Sequence, residues 1–386
     1  MAGEIQLNST TMATESSGTI TLSNVDSATN RTNLGLGSMA TQNANSVALT
    51  GGSITGTTIV PTSPFSFRNR IINGSFQIAQ RNTSFSGGTN NADDTYTLDR
   101  WYVLSEGNDS IDVTQQSDSP DSNGKSIRLD VETTGEKYGI AQIIEGQNCI
   151  GAIGNTCTLS FYAKVSNARI DTVKAAIISW SGTEDTVTSD IISAWNADGT
   201  TPTLIANATF ENTPADLSVT TSWARYELSA NIDTASTKNI IIFIWSDDAT
   251  NPQAGDFLYL TNIQFEAATS VATPFEHRPY GTELALCQRY YQELEEGIFS
   301  GFINGTTQVA YIGIPLTVSM RATPTGVSGG LDCWHLNGQT LNTTTPIFSY
   351  TAGRSSVRAT VNGYSGLTDN RLAVVVFGAN VLDSEL

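Results

Sequence analysis

The chain has no Phe, Trp or Tyr before Phe65 and no Lys before Lys125. Its first segment therefore cannot bury a core of its own, because large side chains carry most of the apolar area that folding hides. Charged residues are only 15% of the whole, well below the usual roughly one quarter. Ser, Thr, Asn and Gly fill the gap, a composition of turn-rich β-proteins rather than of helical enzymes. Basic residues number 19 against 37 acidic ones, for a net charge of −18. That balance excludes a phosphate-binding surface for nucleic acid and attachment to an anionic membrane. No apolar run approaches the ~18 residues of a membrane span. The start lacks the basic residues and apolar stretch of a signal peptide, which fits synthesis in a cytoplasm. Only His277 and His335 are present, and Cys149, Cys157, Cys287 and Cys333 contain no C-x-x-C pair. Zinc coordination and Ser–His catalysis are thus poorly served. No Gly-x-Ser-x-Gly elbow or Walker loop occurs. Cys149 and Cys157 flank Gly151 and Gly154 and could close a small loop, but buried free thiols are the better reading.

What the early segment does have is a repeat. Aliphatic pairs two residues apart recur as Ile5/Leu7, Ile20/Leu22, Leu34/Leu36 and Val47/Leu49. Side chains two apart share one face of an extended strand. A thin apolar edge repeated at near-constant pitch can be buried against other copies of itself. This predicts a shaft in which identical chains, most simply three, wind together.

From Phe65 to Tyr280 the chain reads as strand after strand. The expected strands are Arg70–Gln77, Arg100–Leu104, Ser110–Gln115, Ser126–Val131, Gly139–Glu145, Thr156–Val165 and Val173–Trp180. They continue with Thr203–Phe210, Trp223–Asn231, Asn239–Trp245 and Phe257–Glu266. Each is rich in β-branched and aromatic residues, and polar turn clusters such as Asp118–Gly124 separate them. Many alternate, with Phe257 and Tyr259 set against Leu258 and Leu260. Short strands at this spacing predict a two-sheet sandwich, wired as a jelly roll. Leu284, Cys287, Tyr291 and Leu294 then fall on one helical stripe, predicting a helix over Thr282–Leu294. Strands return to the end of the chain. The fold class expected is all-β, in three parts: an intertwined stem over 1–62, a jelly-roll sandwich over 63–280, and a helix-led β tip over 281–386.

Several stretches resemble a known family. They are Asn33-Leu-Gly-Leu-Gly-Ser-Met-Ala-Thr-Gln with Leu49-Thr-Gly-Gly-Ser-Ile54, and Asn69-Arg-Ile-Ile-Asn-Gly-Ser-Phe-Gln-Ile-Ala-Gln-Arg81 with Leu98-Asp-Arg-Trp101. Downstream stand Asn262-Ile-Gln-Phe-Glu266, Ala272-Thr-Pro-Phe-Glu-His-Arg-Pro279, Glu283-Leu-Ala-Leu-Cys-Gln-Arg-Tyr-Tyr291 and Met320-Arg-Ala-Thr-Pro-Thr325. In this order they resemble bacteriophage tail fibre and tail-tip receptor-binding proteins with a carbohydrate-binding-module-like jelly roll. The resemblance implies a homotrimeric adhesin of the virion. Its N-terminus would join other phage tail proteins, and it would touch host-surface polysaccharide or lipopolysaccharide without inserting into a membrane or cutting a bond. A tail component without receptor contact, or a polysaccharide depolymerase, are the alternatives.

Read as residues, these stretches are structural first. Asn73-Gly74 supplies a turn, Phe76 and Trp101 are core aromatics, and Arg100 beside Asp99 belongs to an ion pair. Glycan binding needs exposed rings among amides and hydroxyls. Trp195 lies in a polar turn, whereas Trp180 and Trp245 end apolar strands and read as core. In the tip, Trp334, His335, Tyr350 and Tyr364 sit among small polar residues, with Arg354 and Arg358 as rare positive charge. Related jelly rolls hold calcium between first and last strands. Here Gln77 and Thr261-Asn262 replace the carboxylates of that pattern, leaving Asp256 and Glu266 as the remaining candidates.

Overall fold

The computed structural model describes residues 4–7, 10–16, 19–22, 67–234, 236–294, 297–303, 308–327, 331–335, 340–341, 347–362, 372–377 and 380–386. The chain divides into two units, Met1–Val60 and Pro61–Leu386. In the first, Glu4–Leu7, Thr10–Ser16 and Thr19–Leu22 form an antiparallel three-stranded sheet. The repeats beyond Leu22 lie outside the described residues.

The second unit contains the expected sandwich. One sheet has five strands in the order Ala208–Phe210, Val173–Trp180, Asn239–Ser246, Tyr138–Ile144 and Tyr102–Ser105. The other has six, in the order Ala224–Asn231, Thr156–Val165, Phe257–Glu266, Ser126–Val131, Ile111–Gln116 and Ser84–Phe85. All described pairings in both sheets are antiparallel. Between them lies one core, with Leu159, Phe161 and Ala163 of one sheet facing Ile140, Ile177, Ile240, Ile242 and Ile244 of the other. Trp101 and Phe76 close it, their ring centroids 5.4 Å apart.

The five-stranded sheet is apolar on both faces, as the unbroken run Ile240-Ile-Ile-Phe-Ile-Trp245 requires. Its outer face carries Tyr102, Ala141, Ile143, Ala176, Ile178, Phe243 and Trp245, roofed by Val187, Ile191 and Ile192 from the excursion 181–207. Phe243 and Trp245 stack with centroids 4.5 Å apart. Asp94 lies at the rim, where burial, then Asp93 and Asp190, push its carboxyl up to about 7. The folded state therefore holds a proton that the unfolded chain releases near pH 4. Unfolding then releases that proton between these two values, so stability falls as pH rises through the window and levels off above it. Asp94→Asn is expected to remove that decline and raise Tm at pH 8. Parallel melts across pH check this, and an unchanged slope in the variant would refute it.

The structure corrects three local expectations. Arg70–Gln77 is a turn rather than a strand. Asn73 and Phe76 adopt φ of 58° and 53°, and Asn73 Nδ2 donates to the Ile78 and Asp99 carbonyls at 2.9 and 3.1 Å. Gly74 is needed there, since a Cβ would come within 2.1 Å of the Ile263 carbonyl oxygen. The helix spans Tyr280–Gln288, not Thr282–Leu294. Tyr291–Leu294 instead pairs with Asn380–Asp383 as a strand, because burial of Tyr290 and Tyr291 against the sandwich outweighs helical periodicity. Thr203–Phe210 breaks into Thr203–Leu204, which pairs within the roof, and Ala208–Phe210, which joins the sheet edge.

Cys149 and Cys157 are buried and free. Arg100 is in a buried pair, but with Glu385 rather than Asp99. C-terminal to the helix, a seven-stranded antiparallel sheet runs in the order Thr340–Leu341, Leu331–His335, Leu372–Phe377, Gly297–Ile303, Gln308–Pro315, Ser356–Asn362 and Ile347–Gly353.

Candidate functional site on the six-stranded sheet

Strand alternation decides this site. Leu258 and Leu260 point into the core, so Phe257 and Tyr259 point outward. The same parity turns Lys164, Arg128, Trp223 and Arg225 away from the core. Cross-strand register then places them in one row. Tyr259 is opposite Arg128 on one side and Lys164 on the other, and Arg128 is opposite Thr114. Ala224 pairs with Ala163, which brings Trp223 against Lys164. The row thus reads Thr114, Arg128, Tyr259, Lys164, Trp223, alternating aromatic rings with cations.

The rings interlock. Trp223 meets Tyr259 edge to face at 5.8 Å, and Phe257 meets Tyr259 likewise at 5.1 Å. Lys164 Nζ stands 5.1 Å from the Trp223 ring centre and 4.7 Å from that of Tyr259. The Arg128 guanidinium lies 4.3 Å over Phe257. Such cation–π contacts fix long side chains that would otherwise sample many rotamers. The turn after Gln116 supplies the anchor: Asp118 accepts Trp223 Nε1–H at 2.9 Å and also accepts from Lys164 Nζ. Those two donors, Lys164 first, hold the Asp118 carboxyl below its usual range. Asp130 accepts from Arg128, while burial pushes its carboxyl up. Both cations of the row are thus neutralised by neighbouring carboxylates. The far half of the face is covered by the returning segment 267–274, whose Thr269, Ser270 and Thr273 carbonyls accept from Thr158, Ser229 and Arg225. On the near half Trp223 and Phe257 are half-buried on either side of Tyr259, which is only 6% exposed, with donors and acceptors at the edges.

The residues singled out from the sequence are distributed differently. Trp195 is half-buried in the roof of the other sheet, edge-on to Phe243 at 6.0 Å. Trp334 and His335 lie on Leu331–His335, whereas Tyr350 and Arg358 lie on Ile347–Gly353 and Ser356–Asn362. Three strands separate the first pair from Arg358 and four from Tyr350, spans of roughly 19 and 24 Å at ~4.8 Å per strand. Arg354 is exposed at the hairpin between the last two, its Nε donating to the Met320 carbonyl at 2.9 Å. Tyr364 lies outside the described residues. The calcium candidates Asp256 and Glu266 flank opposite ends of Phe257–Glu266, about 30 Å apart at strand rise, and cannot share an ion. Asp256 is paired with Arg169, the main cause holding its carboxyl down at about 2. Glu266 accepts from Thr273 Oγ1 at 2.6 Å and faces Arg68 at 3.5 Å. No group of three metal-ligating side chains gathers among the described residues.

Sequence reading passed over Trp223, Lys164 and Arg128. The available signal was parity: Phe257 and Tyr259 alternate against two leucines, so a half-apolar outward face was already written there. Their partners come from three other strands, which sequence spacing does not bring together.

No family model matches the chain, and no curated protein matches it. Among solved structures, it is similar to the enzymatically active domain of tailspike protein 4 of bacteriophage CBA120. Identity is 19% and the TM-score 0.32, over 52% of this chain but only 21% of that one. It is similar to TmCBM61, solved with β-1,4-galactotriose, at 12% identity and TM-score 0.29, over 52% and 99% of the two chains. A third similar structure is the C-terminal family 22 carbohydrate binding module of Clostridium thermocellum Xyn10B. There identity is 11% and the TM-score 0.32, over 54% and 100%. At these identities and scores no residue role or ligand passes to this chain.

Proposed function

We propose that the chain is a glycan-binding adhesin that holds host-surface sugar on the open half of its six-stranded sheet. The row Arg128, Tyr259, Lys164, Trp223 carries this reading. The half-buried rings of Trp223 and Phe257, backed by the buried Tyr259, offer apolar area to the C–H face of a pyranose, and the edging charges bond its hydroxyls. Because each cation of the row already has its carboxylate, the platform suits neutral better than acidic sugars. Binding without cleavage fits the same pairing, since neither Asp118 nor Asp130 is left free to act as acid or base. The early repeats and the family resemblance support a homotrimeric phage tail fibre. In that arrangement three weak sites on one rigid particle would multiply their affinity.

Trp223→Ala is expected to weaken binding to host polysaccharide at least about tenfold, or ~1.4 kcal/mol, with Tm nearly unchanged. Titration calorimetry of the full chain against purified polysaccharide measures this. Equal affinity in variant and parent would remove the platform from the binding surface. No binding by either would favour the tail-component reading, and release of reducing ends would favour a depolymerase.

A further inference from the structure

A second concavity lies away from the aromatic row, where the start and end of the sandwich meet. Asn69, the turn residues Gly74, Ser75 and Gln77, and residues of the segment Phe275–Tyr280 line a cavity of about 180 Å³. Two features distinguish it from a packing gap. Ser75 and Gln77 both line it; each is half-buried, and neither side chain is hydrogen-bonded to another described residue. Half-buried polar side chains that line a cavity and spend no hydrogen bond on the protein are free to exchange water for a ligand's hydroxyls. The rim is aromatic. Tyr280 is 62% exposed, and Phe275 meets His277 edge to face at 4.9 Å.

The walls are rigid. Glu276 accepts the Asn69 backbone N–H at 3.0 Å and that of Phe67, and its own N–H donates to Gln264 Oε1 at 2.7 Å. Arg278 donates to the Ile71 carbonyl at 3.1 Å and to that of Asn69, and its charge is paired with Glu283 at 3.1 Å, while its buried Nε has no hydrogen-bond partner among the described residues. Nearby carboxylates are Glu276, Glu283 and Asp121, the last of which faces His277 at 3.6 Å. With its arginine charge-paired to Glu276 and Glu283 and acidic groups on several sides, the cavity disfavours an anionic sugar.

We propose that this cavity is a second ligand site, taking one neutral pyranose unit. The rings of Tyr280, Phe275 and His277 cover the sugar's C–H face, and Ser75, Gln77 and Glu276 bond its hydroxyls. The site stands on its own residues and does not depend on the Trp223 platform. It would let one chain hold a glycan terminus in the cavity and a longer stretch on the sheet.

Saturation-transfer NMR on the full chain tests this, using methyl glucoside, methyl galactoside, methyl mannoside, N-acetylglucosamine and glucuronate as probes. At least one neutral sugar is expected to receive saturation, and glucuronate none. The signal should survive Trp223→Ala and fall at least about fivefold in both Tyr280→Ala and Gln77→Leu. Both positions avoid the core, and matching melts establish that the variants fold. Three results would overturn the site: no transfer to any neutral sugar, a signal unchanged in both cavity variants, or a signal lost only with Trp223→Ala. The last would assign the monosaccharide to the sheet.

Discussion

Asp247→Ala is expected to destabilise the chain by about 3–5 kcal/mol, the range for breaking a buried ion pair. Asp247 is fully buried and receives two ammonium groups, Lys137 on Oδ1 at 2.6 Å and Lys174 on Oδ2. Both lysines lie on the five-stranded sheet or at its edge and are themselves buried. Lys137 also donates to the carbonyls of Ala197 at 2.7 Å, Thr200 at 3.0 Å and Trp195 at 3.3 Å. Lys174 donates to that of Gly199 at 2.7 Å. The single carboxylate thus pairs with two cations, whose remaining protons clamp the turn 195–200 to the sheet. Removing it leaves both charges buried and unpaired, the costly side of the asymmetry between making and breaking such pairs. Lys137→Met leaves one matched pair and should cost roughly half as much. The expected fall in Tm for Asp247→Ala is on the order of 10 °C, read by thermal melting, with faster proteolysis within 195–200. A loss under about 1 kcal/mol would show that water reaches the cluster and that the roof is held by its apolar contacts instead.

Arg100→Ala should be of similar severity, about 3–5 kcal/mol. Its guanidinium pairs with Glu385 and donates to the Ile143 carbonyl at 2.6 Å. It also lies 3.6 Å over the Tyr290 ring. One side chain therefore ties three parts of the fold together: a sheet strand, the exit of the helix and the segment ending at Leu386. Glu385 faces Arg81 as well, at 3.3 Å. Burial pushes its carboxyl up, while Arg100 and then Arg81 pull it down. Without Arg100 only the more distant cation remains. Arg100→Lys is not expected to rescue stability, because an ammonium lacks the planar fork that stacks on a ring and bonds two acceptors at once. Urea unfolding measures the loss. Amide exchange should report it first at residues 383–386, where Tyr96 Oη–H also bonds the Leu386 carbonyl at 2.9 Å. Full rescue by lysine would mean that charge alone, and not geometry, is what the site needs.

The order of the sandwich strands along the chain was legible because each carries its own pattern of turns, β-branched residues and alternation. Parity was legible too. The inward set Leu159, Phe161 and Ala163 is fully buried, and Phe257 and Tyr259 face away from Leu258 and Leu260. Trp180 and Trp245, at the ends of apolar strands, lie in the core. Local rules failed where distant groups overrode them. Arg70–Gln77 has strand composition, but its backbone is bent to satisfy the buried Asn73 and to let Gly74 meet Ile263. The helical stripe beyond Gln288 yields to pairing with residues near the other end of the chain.

What the sequence determined by itself is the class of fold, the face each strand side chain takes, and the acidic net charge of −18. Those follow from properties of single segments: period, composition and charge. The candidate sites were decided only by tertiary structure. Trp223 and Asp118 are 105 residues apart, and the cavity is walled by Gly74 and by residues some 200 positions later. Contacts of that range depend on strand order and register, and on burial that competes across the whole unit, none of which any one segment encodes.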